Sequence, residues 1–396
     1  MLALAILMAL TCYTLSYRYL RPVVLQINST VDFSCYYIGG KMVVSGDRTR
    51  VYEMEAQKEY GQKLREVIAP GKRFEHRPFN YPPFILLLFA PLSLLPFHQA
   101  EMVWYCLNVG MLFLLPFILR RVLGRDRLQA LAMLMPAIFL PVGFALIEGQ
   151  SSIVVLLLLT IVVAKVGAGR DMTAGCALAL AMWKPQLAFP MLLVLVVAKR
   201  WKALVGFLAM STALFGASVA TIGWHATLSF PSAVAEFTRL PADLGGDYLA
   251  DMANLRGMAY LLVHSRVSDT HLRALVILAS VVLLLLAAMI FRSRNGQPYE
   301  LRCAFVIVVT ALASYHYYLH DVSLLILPFL LSLGYVRRRR LTARGIVLIL
   351  TIGFFFIVPF LPGPYIVELF LATVVLGITL LAAIAAAPER QAKLVA

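Results

Sequence analysis

The chain has 396 residues, of which 61% are apolar and only 14% are charged, and its formal net charge is +15. Soluble domains carry about 25% charged residues. No soluble core could bury this much apolar surface, so the composition excludes a secreted or cytosolic enzyme, a disulfide scaffold and a disordered chain. Apolar runs of about 17–25 residues recur, which is the length that crosses a bilayer as a helix. The sequence therefore predicts an all-α polytopic membrane protein.

The excess of basic residues, 35 Lys and Arg against 20 Asp and Glu, has a simple explanation in a membrane protein. Short cytoplasmic loops collect Lys and Arg, so we expect membrane lipids, and no nucleic acid, among the partners. The five cysteines are an odd number without a CxxC pair. Neither a disulfide framework nor a cysteine metal site is expected from them.

The first quarter of the chain predicts one span, a large loop and a short apolar segment. Residues 1–20 have no basic n-region and no small-residue cleavage site, which favours a retained first span. Residues 21–82 form a first outer loop, in which 51–67 predicts a helix on the membrane surface. The apolar segment 83–96 has 14 residues interrupted by Pro91 and Pro96. It reaches about 21 Å of a ~30 Å core, so we expect an interfacial or re-entrant piece.

The basic residues orient the remaining spans. The arginine run 337–340 is predicted to be cytoplasmic, and it places His320 and Asp321 on the opposite side of the membrane. Residues 223–271 then form a second outer loop, and 388–396 form a cytoplasmic tail. No internal repeat is visible. We expect about twelve spans in one membrane-embedded domain, 1–396, with both ends inside. Further cytoplasmic turns are predicted at 120–127, 165–170, 199–202 and 292–294.

Three polar positions in the first half of the chain are candidates for chemistry. Asp32 lies just past the outer end of the first span, where partial desolvation suits a carboxylate for general-base catalysis; a helix cap or a solvated loop acid is the alternative. Gln150, in the motif Glu148-Gly-Gln, could bind a sugar hydroxyl or cap a helix. Tyr81, in Asn80-Tyr-Pro-Pro, belongs either to a substrate site or to a rigid interfacial turn.

Two cations lie at further interruptions of the apolar pattern. Lys184, in Trp183-Lys-Pro-Gln, separates two half-length apolar runs, and a lysine at membrane depth is either functional or reaches the headgroups. Arg256 could hold a phosphate through paired hydrogen bonds, or be a surface arginine.

The motif at 314–321 contains two histidines and an acid. On a helix, His316 and His320 would share one face. Metal binding, phosphate or sugar binding, and interfacial packing all remain open for them. Metal binding is the least favoured of the three uses, because no HExxH motif is present, and we assign no metal and no cofactor.

Taken in order, these pieces resemble glycosyltransferase family 87, of the GT-C membrane superfamily, over residues 28–335. The motifs that carry the resemblance are the acid after the first span, Phe-Asn-Tyr-Pro-Pro-Phe at 79–84 with the proline-rich run at 90–96, Gly-Gln at 149–150, Ala-Gly at 174–175 with Lys-Pro at 184–185 and Lys-Arg-Trp at 199–201, Asn-Leu-Arg-Gly at 254–257, and His316, His320 and Asp321.

The resemblance implies a GT-C fold and an activity. Its best-known members are mannosyltransferases that use a polyprenyl-phosphate sugar, which implies such a donor and a lipid or glycan acceptor. An active site on the extracytoplasmic face of the inner (plasma) membrane and inversion at the sugar carbon are also implied. The family's catalytic acid corresponds to Asp32. Donor-phosphate roles are implied for Lys184, Arg256, His316 and His320, and substrate contacts for Tyr81, Gln150 and Asp321.

Two other functions are compatible with the sequence. A transporter or flippase for lipid-linked sugars would also need basic phosphate contacts and intramembrane polar residues. A glycan ligase or polymerase that uses a lipid-diphosphate donor is the second. The missing repeat and the large, unequal outer loops argue against the transporter.

Overall fold

The computed structural model describes residues 2–21, 31–68, 70–71, 77–124, 127–239, 248–293, 297–339 and 342–386. All regular structure in these ranges is helical and no strand occurs there, which confirms the predicted class. The predicted tail 388–396 lies outside the described residues. The α-helices are Leu2–Cys12 (α1), Phe33–Val44 (α2), Met54–Ile68 (α3), Leu86–Leu92 (α4), Phe97–Ile118 (α5), Arg120–Leu123 (α6), Arg127–Ile138 (α7), Leu140–Ile147 (α8), Ser152–Gly167 (α9), Asp171–Ala181 (α10), Pro185–Val197 (α11), Trp201–Ile222 (α12), Trp224–Phe237 (α13), Leu255–Val263 (α14), Asp269–Arg292 (α15), Tyr299–Ala313 (α16), Ile326–Arg338 (α17), Ala343–Ile357 (α18) and Tyr365–Ala385 (α19).

Shorter helical segments extend or connect these helices. A π-helical stretch, Tyr13–Leu20, continues α1, and 3-10 turns occur at Arg48–Arg50, Pro83–Ile85, Leu249–Asp251, Leu319–Leu325 and Val358–Phe360. The turn Leu319–Leu325 runs directly into α17, so that the two form one continuous helical segment.

Six helical segments in the described part of the chain are long and apolar enough to cross a membrane. The protein is therefore a membrane protein, while the count of about twelve spans and the sides of the loops stay predictions. The most apolar stretch of Leu319–Arg338 is 72% buried inside the protein, whereas the corresponding stretches of α12 and α15 are 17% buried. Leu319–Arg338 therefore lies at the centre of the protein, and α12 and α15 lie at its periphery. The six are α5, α12, Leu319–Arg338, α15, Ala343–Phe360 and α19.

The short apolar segment 83–96 folds as a 3-10 turn followed by α4. These ten helical residues rise about 15 Å, half of a ~30 Å hydrocarbon core. The helix packs closely on α2, because a Cβ added at Gly40 would lie 2.3 Å from the carbonyl oxygen of Phe89. The helix predicted within 51–67 is present as α3. Its buried Gln57 bonds to the backbone of Val51 and Phe79, which anchors α3 to the segment before α4.

Helices α10 and α12 make the most extensive helix contact, and glycines allow it. A Cβ at Gly175 would lie 1.9 Å from the carbonyl oxygen of Ala203, and one at Gly206 would lie 2.1 Å from that of Met172. Small residues of this kind let membrane helices approach backbone to backbone, where van der Waals packing replaces the hydrophobic driving force.

We expect Gly206→Ala to lower the thermal-unfolding midpoint in detergent, because the added methyl group must push α10 and α12 apart. Overpacking costs about 1–3 kcal/mol, and here the obstacle is backbone rather than a movable side chain. Gly216 is the matched control on the same helix, since nothing lies within 4 Å of a Cβ there. Gly216→Ala should leave the midpoint unchanged or raise it, because alanine has the higher helix propensity. Equal midpoints for the two variants would contradict the close packing.

Candidate active site

Four separate parts of the chain meet at one end of the helices. They are the start of α2, the turn between α8 and α9, the break between α10 and α11, and the turn Leu319–Leu325. In the second of these, Gly149 has φ +66°, and a Cβ there would lie 2.7 Å from the Cβ of Phe33. The Phe33 N–H donates to the Glu148 carbonyl oxygen at 2.8 Å. Glycine therefore lets the turn approach the start of α2 closely.

Asp32 stands at the N-cap position of α2, but its side chain makes no capping hydrogen bond. Instead, the Gln150 amide nitrogen donates to Asp32 Oδ2. Arg77 Nε lies 3.5 Å from Asp32 Oδ1, and the Asp32 side chain is 20% exposed. The helix-cap alternatives for Asp32 and for Gln150 are therefore wrong. Asp32 is a held carboxylate that solvent still reaches.

Glu148 and His320 form the next contact. His320 Nδ1 lies 2.9 Å from Glu148 Oε2, and its Nε2 lies 3.5 Å from Asp321 Oδ2. The imidazole of His320 thus lies between the carboxylates of Glu148 and Asp321, which are far apart in sequence. Asp32, Glu148 and His320 each offer one ligand atom, and these atoms lie within 4.8 Å of one another.

Lys184 and Asp321 form a buried ion pair behind this group. Lys184 Nζ lies 2.7 Å from Asp321 Oδ1, and the side chains are 4% and 1% exposed. Ser152 joins them, since its hydroxyl donates to Asp321 at 2.7 Å and accepts from Lys184 at 2.9 Å. The alternative in which Lys184 reaches the headgroups is wrong. The break that places Lys184 follows from Pro185, which lacks an N–H and starts α11 at its first turn.

His316 and His320 are not one turn apart on a helix. Residues 314–318 form no regular helix, and only Leu319–Leu325 is helical, as a 3-10 turn. The two histidines therefore do not lie on one helical face, which was the sequence-based prediction. The rings of Tyr315, His316, Tyr318 and His320 instead form a row, with successive centroids 4.6, 6.4 and 6.0 Å apart.

Residues 254–257, within the predicted second outer loop, pack on this row. The guanidinium of Arg256 lies 3.8 Å from the centre of the Tyr315 ring and donates to the Tyr315 carbonyl oxygen at 3.3 Å. Buried Asn254 fixes the segment, since its amide donates to the Ser314 carbonyl oxygen and its oxygen caps α14 at Gly257. Arg256 therefore lies over Tyr315, at one end of the aromatic row.

Tyr81 is connected to the site through Tyr36. Its ring is 4.7 Å from that of Tyr36, and its carbonyl oxygen accepts a hydrogen bond from Tyr52. The Tyr36 hydroxyl donates to Ser151 at 3.1 Å, next to Gln150. Burial raises the pKa of the Tyr36 phenol well above its ordinary value, which keeps this hydroxyl protonated as a donor. Tyr81 thus supports the wall of the site through Tyr36.

Two residues of the site had little or no sequence signal. Glu148 was visible only as an acid beside Gln150, and Arg77 is one basic residue in a loop of mixed charge. Neither residue type nor spacing indicated that Arg77 approaches Asp32.

A polytopic helical protein that gathers carboxylates, an imidazole and cations at helix ends has the groups needed for a transfer reaction at a membrane. The sequence model of glycosyltransferase family 87 matches residues 79–314, more than half of the chain. The protein belongs to this family and is a membrane glycosyltransferase. The matched range includes Tyr81, Gln150, Lys184 and Arg256, but it does not reach Asp32 or 316–321. No curated protein and no solved structure matches the chain.

Lys184→Met should lower the unfolding midpoint strongly, because it leaves the Asp321 carboxylate buried without its cation. Breaking a buried pair by removing one partner costs about 3–5 kcal/mol. Adding Asp321→Asn removes the orphaned charge, so the double variant should melt above Lys184→Met. Lys58→Met is the control, since the Lys58–Glu55 pair lies on the surface and should contribute little. If Lys184→Met melts like Lys58→Met, the buried pair does not stabilise the fold.

Proposed function

We propose that the protein transfers a hexosyl unit, with mannose as the first candidate, from a polyprenyl-phosphate sugar to a lipid or glycan acceptor. Transfer takes place at the extracytoplasmic face of the plasma membrane. Family membership supports the sugar transfer, and the motif resemblance supports the lipid-phosphate donor. The observation that carries the proposal is Asp32, a partly exposed carboxylate held by Gln150 among helix ends that also present Glu148 and His320.

In this reaction, the acceptor hydroxyl oxygen attacks the anomeric carbon of the donor. A new carbon–oxygen bond forms as the bond to the phosphate oxygen breaks, and Asp32 takes the hydroxyl proton. General-base help of this kind contributes typically 10²–10⁴ in rate. A single displacement inverts the anomeric carbon. The Gln150 amide holds the Asp32 carboxylate, so that one oxygen stays directed toward the acceptor.

The leaving phosphate needs positive charge or hydrogen-bond donors where its charge develops. We assign this role to Arg256, His316 and His320. Arg256 and His316 both contact the Tyr315 ring, and His320 lies beside Glu148 near Asp32. Lys184 acts differently in this proposal, because its ammonium is already bonded to Asp321 and Ser152. It positions Asp321, which in turn orients His320.

The alternatives are weaker after the family match. The family match argues against a transporter or flippase, because the matched family is one of glycosyltransferases. A ligase or polymerase that uses a lipid diphosphate remains the nearest competing enzyme, since it shares the acceptor chemistry. Sugar transfer measured with matched lipid-monophosphate and lipid-diphosphate donors separates the two.

Asp32→Asn should lower sugar transfer by at least about a hundredfold while donor binding survives, because asparagine keeps the shape but cannot take a proton. The measurement is transfer by the purified variant in detergent, with donor binding measured in parallel. Asp269→Asn is the control, since Asp269 is an exposed acid in the first turn of α15. Activity of Asp32→Asn within a few-fold of wild type would remove Asp32 as the base. The search would then move to Glu148 and Asp321.

We expect the first outer loop and the turn before α17 to face the extracytoplasmic side. Cysteines introduced at Arg48 and Tyr315, both exposed, should react with an impermeant maleimide in intact cells. A cysteine at exposed Lys202 should react only after the cells are opened, because Lys199–Lys202 is predicted to be cytoplasmic. Background from native cysteines is measured on the parent protein. The reverse pattern would place the site on the cytoplasmic face.

A further inference from the structure

Asp32, Glu148 and His320 direct the kinds of atom that bind metal cations toward one another. Two carboxylates and one imidazole each offer a ligand atom, and these atoms lie within 4.8 Å of one another. Ligands about 2.1 Å from one ion lie at most about 4.2 Å apart. Small side-chain shifts would therefore let all three reach the same ion. We propose that Asp32, Glu148 and His320 bind a divalent cation.

The surroundings of His320 match those of a metal-bound histidine. A ligating histidine almost always donates its other ring N–H to a carboxylate or carbonyl, which fixes the ring and its tautomer. Here Nδ1 faces Glu148, and Nε2 faces Asp321 Oδ2 at 3.5 Å. Asp321 is itself held by Lys184 and Ser152. The buried ion pair thus provides a fixed carboxylate behind the proposed ligand.

Gln150 gives a second, independent indication. Its side chain is 3% exposed, and its Oε1 atom is buried without a hydrogen bond, although buried polar atoms are nearly always satisfied. The amide nitrogen of the same group touches Asp32 Oδ2. Oε1 belongs to the same amide as the nitrogen that donates to Asp32, so it lies at the edge of the cluster. A cation bound there would give it a partner while the hydrogen bond from the amide nitrogen to Asp32 is kept.

The charges around the cluster leave room for one more cation. Three carboxylates, from Asp32, Glu148 and Asp321, face the two cations Arg77 and Lys184. One negative charge is left among these five groups, and a bound cation would balance it.

Oxygen ligands with a single imidazole favour an ion such as Mn²⁺ or Mg²⁺ over the thiophilic metals. The motif at 316–321 does not suggest such a site, because only one of its histidines takes part. The role of the ion rests on the proposed function. A divalent cation at the helix ends would neutralise the leaving phosphate of the donor. His320 would then act on the phosphate through the ion.

The test is Mn²⁺ binding to the purified full-length protein in detergent, measured by electron paramagnetic resonance titration after chelator treatment. We expect about one bound Mn²⁺ per chain, displaced by excess Mg²⁺. Glu148→Gln and Asp32→Asn should each weaken binding at least tenfold. Glu53→Gln and Asp269→Asn, at exposed acids away from the cluster, should bind like wild type. Thermal melts show which variants are folded. If Glu148→Gln does not fold, the test relies on Asp32→Asn, since the Asp32 side chain is reached by solvent.

The outcomes separate this inference from the proposed function. No stoichiometric Mn²⁺ in wild type, or equal binding by the site variants and the controls, means an adventitious ion only and overturns the cation site. Undiminished sugar transfer in excess EDTA also overturns it and leaves the glycosyltransferase standing. Loss of transfer in EDTA that Mn²⁺ restores supports it. Bound Mn²⁺ without transfer from any lipid-phosphate donor supports the site and contradicts the proposed donor.

Discussion

The ion pair between Lys184 and Asp321 is the interaction on which the site depends. Both side chains are almost inaccessible to solvent, so water could not stabilise either charge if its partner were lost. Lys184 lies at the break between α10 and α11, Asp321 lies in the turn that leads into α17, and Ser152 starts α9. One electrostatic contact therefore joins three helix ends. The ion pair also fixes the position of His320, because His320 precedes Asp321 directly in the chain.

Burial decreases from this pair toward the outside. Asp321 and Lys184 are 1% and 4% exposed, His320 and Glu148 are 11% and 16%, and Asp32 and Arg77 are 20% and 23%. In the proposed function, Lys184 and Asp321 only orient other groups, and they lie innermost, where a low dielectric strengthens their hydrogen bonds. Asp32, the proposed base that must meet the acceptor, lies nearer the surface. Within the proposal, the order of burial is thus also an order of roles.

The sequence predicted single positions better than their partners. The break at Lys184 follows from a lysine and a proline between apolar runs, and the helix α3 follows from its own periodicity. Both depend on local properties of the chain. The pairing of Lys184 with Asp321, and of Asp32 with Gln150, joins residues far apart in sequence, so no local pattern could show it. The helical face expected for His316 and His320 was wrong because 314–318 packs on the second outer loop through Asn254 and Arg256 instead of forming a helix.

The buried pair also bears on the choice between a transferase and a transporter. Alternating access requires the elements around a substrate site to separate and close again. Here, moving the break at Lys184 away from the turn at Asp321 would leave two buried charges without their partners, which is unfavourable. The proposed transfer needs no such opening, because a membrane-borne donor and an acceptor would meet at the ends of the helices. A network that holds Asp32, Glu148 and His320 in one arrangement suits chemistry at a fixed position, where small displacements of reacting groups reduce the rate steeply.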